Sequence, residues 1–361
     1  MCWFQAFQYL IAMERVVSKN LFNFQLKGEL DEDIQQAEAA MAEMGDPIKL
    51  MADLAKLPQS EFTKSIRNLC EMFISSSARH PRLLTGVYSC EHSELKVPTT
   101  HDGEYAVSVL VHTPKMLQDK PANAALIYAH GGGVVAGSAS LYKNYLSSLA
   151  HDCGVVVFNV DYRLAPETKC PNNVLDFYSV LKYVTENASD LGIDHSRIAI
   201  GGESGGGYIC FGTMILLARN EESHLVKLAI PNIPMVSDYS FTTDPASMTT
   251  EERDQAATQK IFWNCIANDM ESEKNDPLLF PDKASDEMLS KMPPTIVWEC
   301  EFDMFITEAS RIAARLRAVG RLLEFVIIPG IKHASAFNAA FTCFELERKA
   351  YCLAIQEYLL K

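Results

Sequence analysis

Arg197-Ile198-Ala199-Ile200-Gly201-Gly202-Glu203-Ser204-Gly205-Gly206-Gly207-Tyr208-Ile209 runs from an apolar tract, through a serine walled by glycines, into a second apolar tract. Residues 197–200 read as a short buried strand and residues 208–218 as an apolar helix. A serine between the two, inside Gly202-Glu203-Ser204-Gly205-Gly206, fits a nucleophile elbow. Such a turn is sharp and strained, so its neighbours must be glycine or similarly small. The strain lifts the hydroxyl above the carboxyl end of a sheet, within reach of a carbonyl carbon. Plain glycine-rich turns give the same pentapeptide, so the rest of the chain must supply the serine's partners.

Outward from this stretch the chain alternates. Strands are expected at 106–111, 124–128, 155–160, 198–200, 228–230, 295–298 and 324–328. Helical stretches at 141–151, 174–187 and 308–319 lie between them. Apolar strands alternating with helices predict an α/β fold with a mostly parallel central sheet covered on both faces. In such sheets the site lies at the carboxyl ends of the strands. Residues 1–80 read as helical, with Ile34, Ala37, Met41 and Met44 on one face and Ser60 as the N-cap of a later helix. Residues 235–286 break the alternation with a polar stretch and an amphipathic helix through Ile261, Phe262 and Cys265. The two segments are expected to form a helical cap over a catalytic domain of residues 81–361.

An acyl-transfer serine needs a base, a group that holds the base, and donors for the oxyanion. Downstream, the strand at 295–298 continues into Glu299-Cys300-Glu301-Phe302-Asp303. Asp303 is placed to leave the strand end, with Glu299 and Glu301 as competitors. The next strand runs into Pro329-Gly330-Ile331-Lys332-His333, and His333 is the only histidine after Asp303. Upstream, His130-Gly131-Gly132-Gly133 follows a strand and matches an esterase-type oxyanion motif. Gly131, Gly132 and Gly205 are the expected N–H donors, although the sequence does not settle which two of the three motif glycines donate. No Lys-Ser/Thr follows, as a phosphate-binding loop would require. His130 reads as an anchor for the loop.

The 361 residues are 48% hydrophobic and 22% charged, enough for a large core. A formal net charge of -14, with no Lys/Arg-rich stripe, argues against nucleic acid as a partner. The ten cysteines are scattered without metal-ligand spacing and read as buried free thiols in a reducing, cytoplasmic setting. Residues 1–12 are apolar and aromatic but lack a charged start and a cleavage site, so they read as an amphipathic helix rather than a signal peptide. No apolar run is long enough to span a bilayer, and membrane contact is not expected.

Taken together, these motifs resemble the hormone-sensitive-lipase-like family of α/β-hydrolases, which includes arylacetamide deacetylase-like esterases and plant carboxylesterases. The resemblance covers about residues 100–361. It rests on His130-Gly131-Gly132-Gly133, on Asp161-Tyr162-Arg163-Leu164-Ala165-Pro166-Glu167, on the Ser204 pentapeptide, and on Asp303 and His333. It implies an α/β-hydrolase fold, a Ser204-His333-Asp303 triad, a small-molecule ester substrate of small to medium acyl length, and no metal or cofactor. It assigns the Asp161–Glu167 run to bracing the oxyanion loop and elbow through buried charge pairs. The chain departs from the family at Gly205, Glu203, Thr307 and Val134-Val135-Ala136, and at Ala334-Ser335, where Gly-Phe is usual after the histidine. The same residues would serve amides, lactones or thioesters. Gibberellin receptors share the fold but lack the histidine that this chain keeps. Oligomeric state, a homodimer included, is left open.

Overall fold

The structure, a computed structural model, describes residues 26–44, 47–84, 88–118, 120, 122–238, 248–335 and 338–361. The helix expected over residues 1–12 lies outside the described residues. Eight strands form one sheet: β1 Cys90–Pro98, β2 Ala106–Pro114, β3 Asn123–Ala129, β4 Val156–Asp161, β5 Ile193–Glu203, β6 Leu228–Asn232, β7 Thr295–Phe302 and β8 Leu322–Lys332. Their order is β1-β2-β4-β3-β5-β6-β7-β8. β1, β2 and β4 pair antiparallel, and every pair from β4 across to β8 is parallel.

The parallel strands are apolar at successive positions because both sheet faces are covered. Alternate residues point to opposite faces. Ala125, Ile127 and Ala129 of β3 join Phe158 and Ile200 in one core cluster. Ala124, Leu126 and Tyr128 join Val157, Ala199 and Trp298 in the other. β1 was not expected, because an outer strand with Glu91, His92 and Glu94 exposed shows little apolar alternation.

The helices, in chain order, are α1 Glu32–Met44, α2 Pro47–Leu54, α3 Gln59–Ala78, α4 Pro81–Leu84, α5 Lys143–Cys153, α6 Asn172–Glu186, α7 Gly205–Arg219, α8 Thr250–Ile266, α9 Asp286–Ser290, α10 Ile306–Ala318 and α11 Cys343–Tyr358. α6, α7 and α10 supply Phe177, Phe211 and Ile312 to the first cluster, and α5 and α11 supply Leu146 and Tyr351 to the second. α7 is apolar almost all round and almost wholly buried, as a helix sealed on every side must be. α3 begins at Gln59 after Pro58, and Pro58 makes no side-chain cap. Ser60, expected as the cap, lies one residue inside the helix. Proline's fixed φ starts the turn without a capping hydroxyl.

The two helical segments outside the sheet meet each other. The fully buried Phe62 of α3 packs edge-on against Phe262 of α8, with ring centroids 5.3 Å apart. The Gln59 amide donates to the Asn264 carbonyl at 3.3 Å. The N-terminal segment also divides. Ile34 of α1 joins the second cluster beside Ile328 and Phe344, away from α8.

α11 carries Glu347, which is buried beneath β6, and the Asn232 amide donates to its Oε1 at 2.6 Å. Burial pushes this carboxyl up to about 8. The folded chain therefore holds a proton that the unfolded chain releases near pH 4.5. The stability tied to that proton is fully present below pH 4.5 and is lost as pH rises toward 8. Glu347→Gln keeps an acceptor for Asn232 and removes the ionisation. Its melting temperature is expected to fall less between pH 5 and pH 8 than that of the unsubstituted protein, as followed by thermal denaturation at each pH.

Candidate active site

Three parallel strands each end one residue before a polar side chain of interest. β5 ends at Glu203 and β7 at Phe302, and β8 ends at Lys332. Ser204, Asp303 and His333 follow directly. Ser204 adopts φ 53° and ψ -115° as it turns from β5 into α7. An L-residue is rarely found there, and the strain persists only where the surroundings leave no alternative. A Cβ on Gly202 would stand 2.6 Å from the Gly206 carbonyl oxygen, and one on Gly206 would overlap the Ala129 carbonyl. The glycines of the elbow are thus required by the close approach of α7 to the end of β3.

His333 Nε2 lies 2.9 Å from Ser204 Oγ. His333 Nδ1 lies 2.8 and 3.0 Å from the two Asp303 oxygens. The Asp303 side chain is fully buried, and its Oδ1 also accepts the Phe305 N–H at 2.9 Å. The Phe305 ring stands edge-on to the imidazole at 5.0 Å. The three predicted residues are brought together in the order serine, imidazole, carboxylate. Glu299 and Glu301, the sequence competitors of Asp303, belong to β7 and are both buried.

The His130–Gly133 loop bears on the expected oxyanion donors. The Gly131 N–H donates to the Tyr142 hydroxyl at 3.2 Å. The N–H groups of Gly132, Gly133 and Gly205 have no partner among the described residues. The Gly133 nitrogen faces Gly205, where an added Cβ would stand 2.8 Å from it. Gly133, one of the three motif glycines, thus stands with Gly132 and Gly205 in having an N–H without a partner among the described residues, whereas the Gly131 N–H is engaged. The loop's shape comes from residues at positive φ: Gly132 at 112°, Gly133 at 62° and Val134 at 63°. The Phe262 ring lies directly over Gly133, whose Cβ would meet it at 2.5 Å.

The Tyr142 hydroxyl in turn donates to Glu203, the residue before the nucleophile. Glu203 is buried, and its carboxyl sits well above the usual carboxylate range. Burial is the main cause and Glu347 adds to it, while the Tyr142 hydrogen bond acts the other way. Tyr142 thus joins the oxyanion loop to the elbow. Sequence reading missed it, because a lone tyrosine 61 positions from Glu203 carries no local signal.

The Asp161–Glu167 run braces the same loop. Tyr162 stacks on His130 at 4.4 Å and donates to its carbonyl at 2.7 Å, and Asp161 accepts the Ala139 N–H at 2.8 Å. Arg163 forms a two-point ion pair with the buried Asp176 of α6 at 2.9 and 2.8 Å. Arg67 of α3 pairs with Glu167 and donates to the Val135 carbonyl at 2.9 Å. His130 is fully buried and donates Nδ1–H to the Gly131 carbonyl at 2.8 Å, as a loop anchor does.

Among the described residues no cluster of histidine, cysteine, aspartate or glutamate is arranged to hold a metal ion. No described helix is long and apolar enough to cross a membrane. The cysteines among the described residues are unbridged.

A strained serine facing an imidazole and a buried carboxylate, on the carboxyl edge of a mostly parallel sheet, is the arrangement of a serine hydrolase of α/β type. The family described as alpha/beta hydrolase fold matches residues 126–337, and the chain belongs to it. It is 30% identical to an ethyl acetate hydrolase of Pseudomonas putida over 243 residues, 65% of this chain and 73% of that one. It is 29% identical to the carboxylesterase NlhH of Mycobacterium tuberculosis over 236 residues, 64% of this chain and 72% of that one. The solved structure of a bacterial heroin esterase superposes with TM-score 0.69 at 29% identity, over 81% of this chain and 90% of that one. A hyperthermophilic esterase from Pyrobaculum calidifontis, at 24% identity and TM-score 0.72 over 91% and 98%, shares the fold.

Two outcomes are expected of the site's supports. Tyr142→Phe removes the link between Gly131 and Glu203 and should lower kcat on the order of tenfold, with KM little changed, in steady-state kinetics. Ala334 sits at φ 59° directly after His333, where glycine would carry no strain. Ala334→Gly is expected to raise unfolding stability by about 1 kcal/mol in denaturant titration.

Proposed function

We propose that this protein is a carboxylic-ester hydrolase acting on esters of small to medium acyl chains through a Ser204-His333-Asp303 triad. The observation that carries the reading is His333 Nε2 at 2.9 Å from Ser204 Oγ, with Nδ1 held by the buried Asp303. Ser204 Oγ attacks the ester carbonyl and its proton passes to His333 Nε2. Asp303 keeps the imidazole in the tautomer with Nδ1 protonated and stabilises the imidazolium that forms. The N–H groups of Gly132, Gly133 and Gly205 take the developing oxyanion. His333 then protonates the leaving alcohol, and a water activated by the same imidazole releases the acid and frees the serine. No step needs a metal or cofactor.

The names of the relatives support the ester class, and the ethyl acetate hydrolase supports a short acyl chain. We further propose that α2, α3 and the 235–286 segment act as a cap. The position of Phe262 over Gly133 supports this reading, because that ring would border the acyl-binding space. The unbridged cysteines support residence in a reducing compartment such as the cytoplasm.

Turnover of p-nitrophenyl acetate and butyrate, with organophosphate labelling of the intact protein, tests the reading. Ser204→Ala and His333→Ala are each expected to lower kcat by at least about 10⁴-fold, and label should be lost with Ser204. Full esterase activity in Ser204→Ala would overturn it.

A further inference from the structure

We propose that Glu301 is a positioning residue for His333: it holds the β-bulge that sets the histidine level with Asp303, and it ties the segment 27–33 to that bulge. The inference rests on the reading of His333 as the general base.

The register of β7 and β8 shows what must be held. Cys300 pairs with Ile328, whereas Phe302 pairs with Lys332. Two residues of β7 therefore span four of β8. Had the first register continued, Asp303 would stand level with Ile331; the two extra residues bring His333 there instead. A bulge leaves backbone groups outside the ladder, and they need partners elsewhere. Gly330 is such a residue, with φ 73°. Its N–H donates to Glu301 Oε2 at 2.7 Å, and its carbonyl accepts the Asp31 N–H at 2.7 Å.

Glu301 accepts two further backbone N–H groups, from Lys27 at 3.1 Å and Gly28 at 2.8 Å. One carboxylate, 2% exposed, thus gathers three amides, one 29 positions after it and two more than 270 positions before it. The segment is also fastened beyond the histidine, where Asp33 Oδ2 accepts from the Thr342 N–H at 2.7 Å and hydroxyl at 3.0 Å. His333 lies between a left-handed residue at 330 and another at 334. A strained loop keeps its shape only when its surroundings over-determine it, and Glu301 with its strap supplies that constraint. Only an acceptor without N–H groups of its own satisfies three converging donors, so a glutamine of the same size does not.

The test is Glu301→Gln in the full chain, read by steady-state kinetics on p-nitrophenyl butyrate and by amide hydrogen exchange of peptides covering 26–33 and 326–335. The expected result is a kcat lowered on the order of 10- to 100-fold with KM within about threefold, and faster exchange in both peptides. A role in stability alone would lower the melting temperature and leave kcat per folded molecule unchanged, which would overturn the proposal. Unchanged exchange would overturn it too. Gly330→Ala leaves Glu301 intact but sets a methyl group where the Asp31 carboxylate lies. It is expected to lower kcat by a similar factor and carries the test if Glu301→Gln does not fold; wild-type kcat there would overturn the proposal. Full turnover by Ser204→Ala would instead overturn the hydrolase reading, whereas wild-type kcat in Glu301→Gln beside an inactive Ser204→Ala would overturn the clamp alone.

Discussion

A serine backbone at φ 53° is the constraint on which the site depends. It requires α7 to start hard against the end of β3, because Gly206 touches the Ala129 carbonyl and no side chain fits between them. That approach fixes the oxyanion loop as well, since the loop leaves the same strand at Ala129. Ser204 and the glycine loop after β3 are therefore positioned by one contact between a helix and a strand end. The sheet does the rest: parallel strands deliver Asp303 and His333 to the same edge.

Around this contact lies a second tier of polar supports. Tyr142 and Glu203 connect the oxyanion loop to the elbow from below. Tyr162 and Asp161 hold the loop's far side, and Arg67 reaches it from α3. Most of these are hydrogen bonds to backbone groups rather than between side chains. This suits loops whose φ values fall outside the ordinary regions, because a bond to the peptide fixes the chain itself.

What the sequence discloses divides along physical lines. The elbow, the parallel sheet and the Asp303–His333 pairing rest on local signals: apolar runs of strand length, glycine spacing, and order along the chain. The partner of the Gly131 N–H is not legible, because it is a tyrosine that only folding brings near. β1 escaped because an exposed outer strand needs no apolar alternation. The helical pattern of the N-terminal segment suggests a cap alone, yet residues 27–34 pack along the β7–β8 edge and the loop after β8. A carboxylate that binds distant backbone amides leaves no pattern in sequence, so Glu301 looked like a rival to Asp303.

The groups of the site come from chain positions far apart, Ser204 and His333 being 129 positions apart. Such a centre has no partial form: it assembles when the strand order from β5 to β8 is complete, a non-local event that local contacts cannot anticipate. With Ser204 as the proposed nucleophile, a reagent that modifies only the activated serine would count finished molecules. Stoichiometric active-site titration would serve this protein as a folding assay, reporting the fraction of a preparation whose strands β5 to β8 are in register.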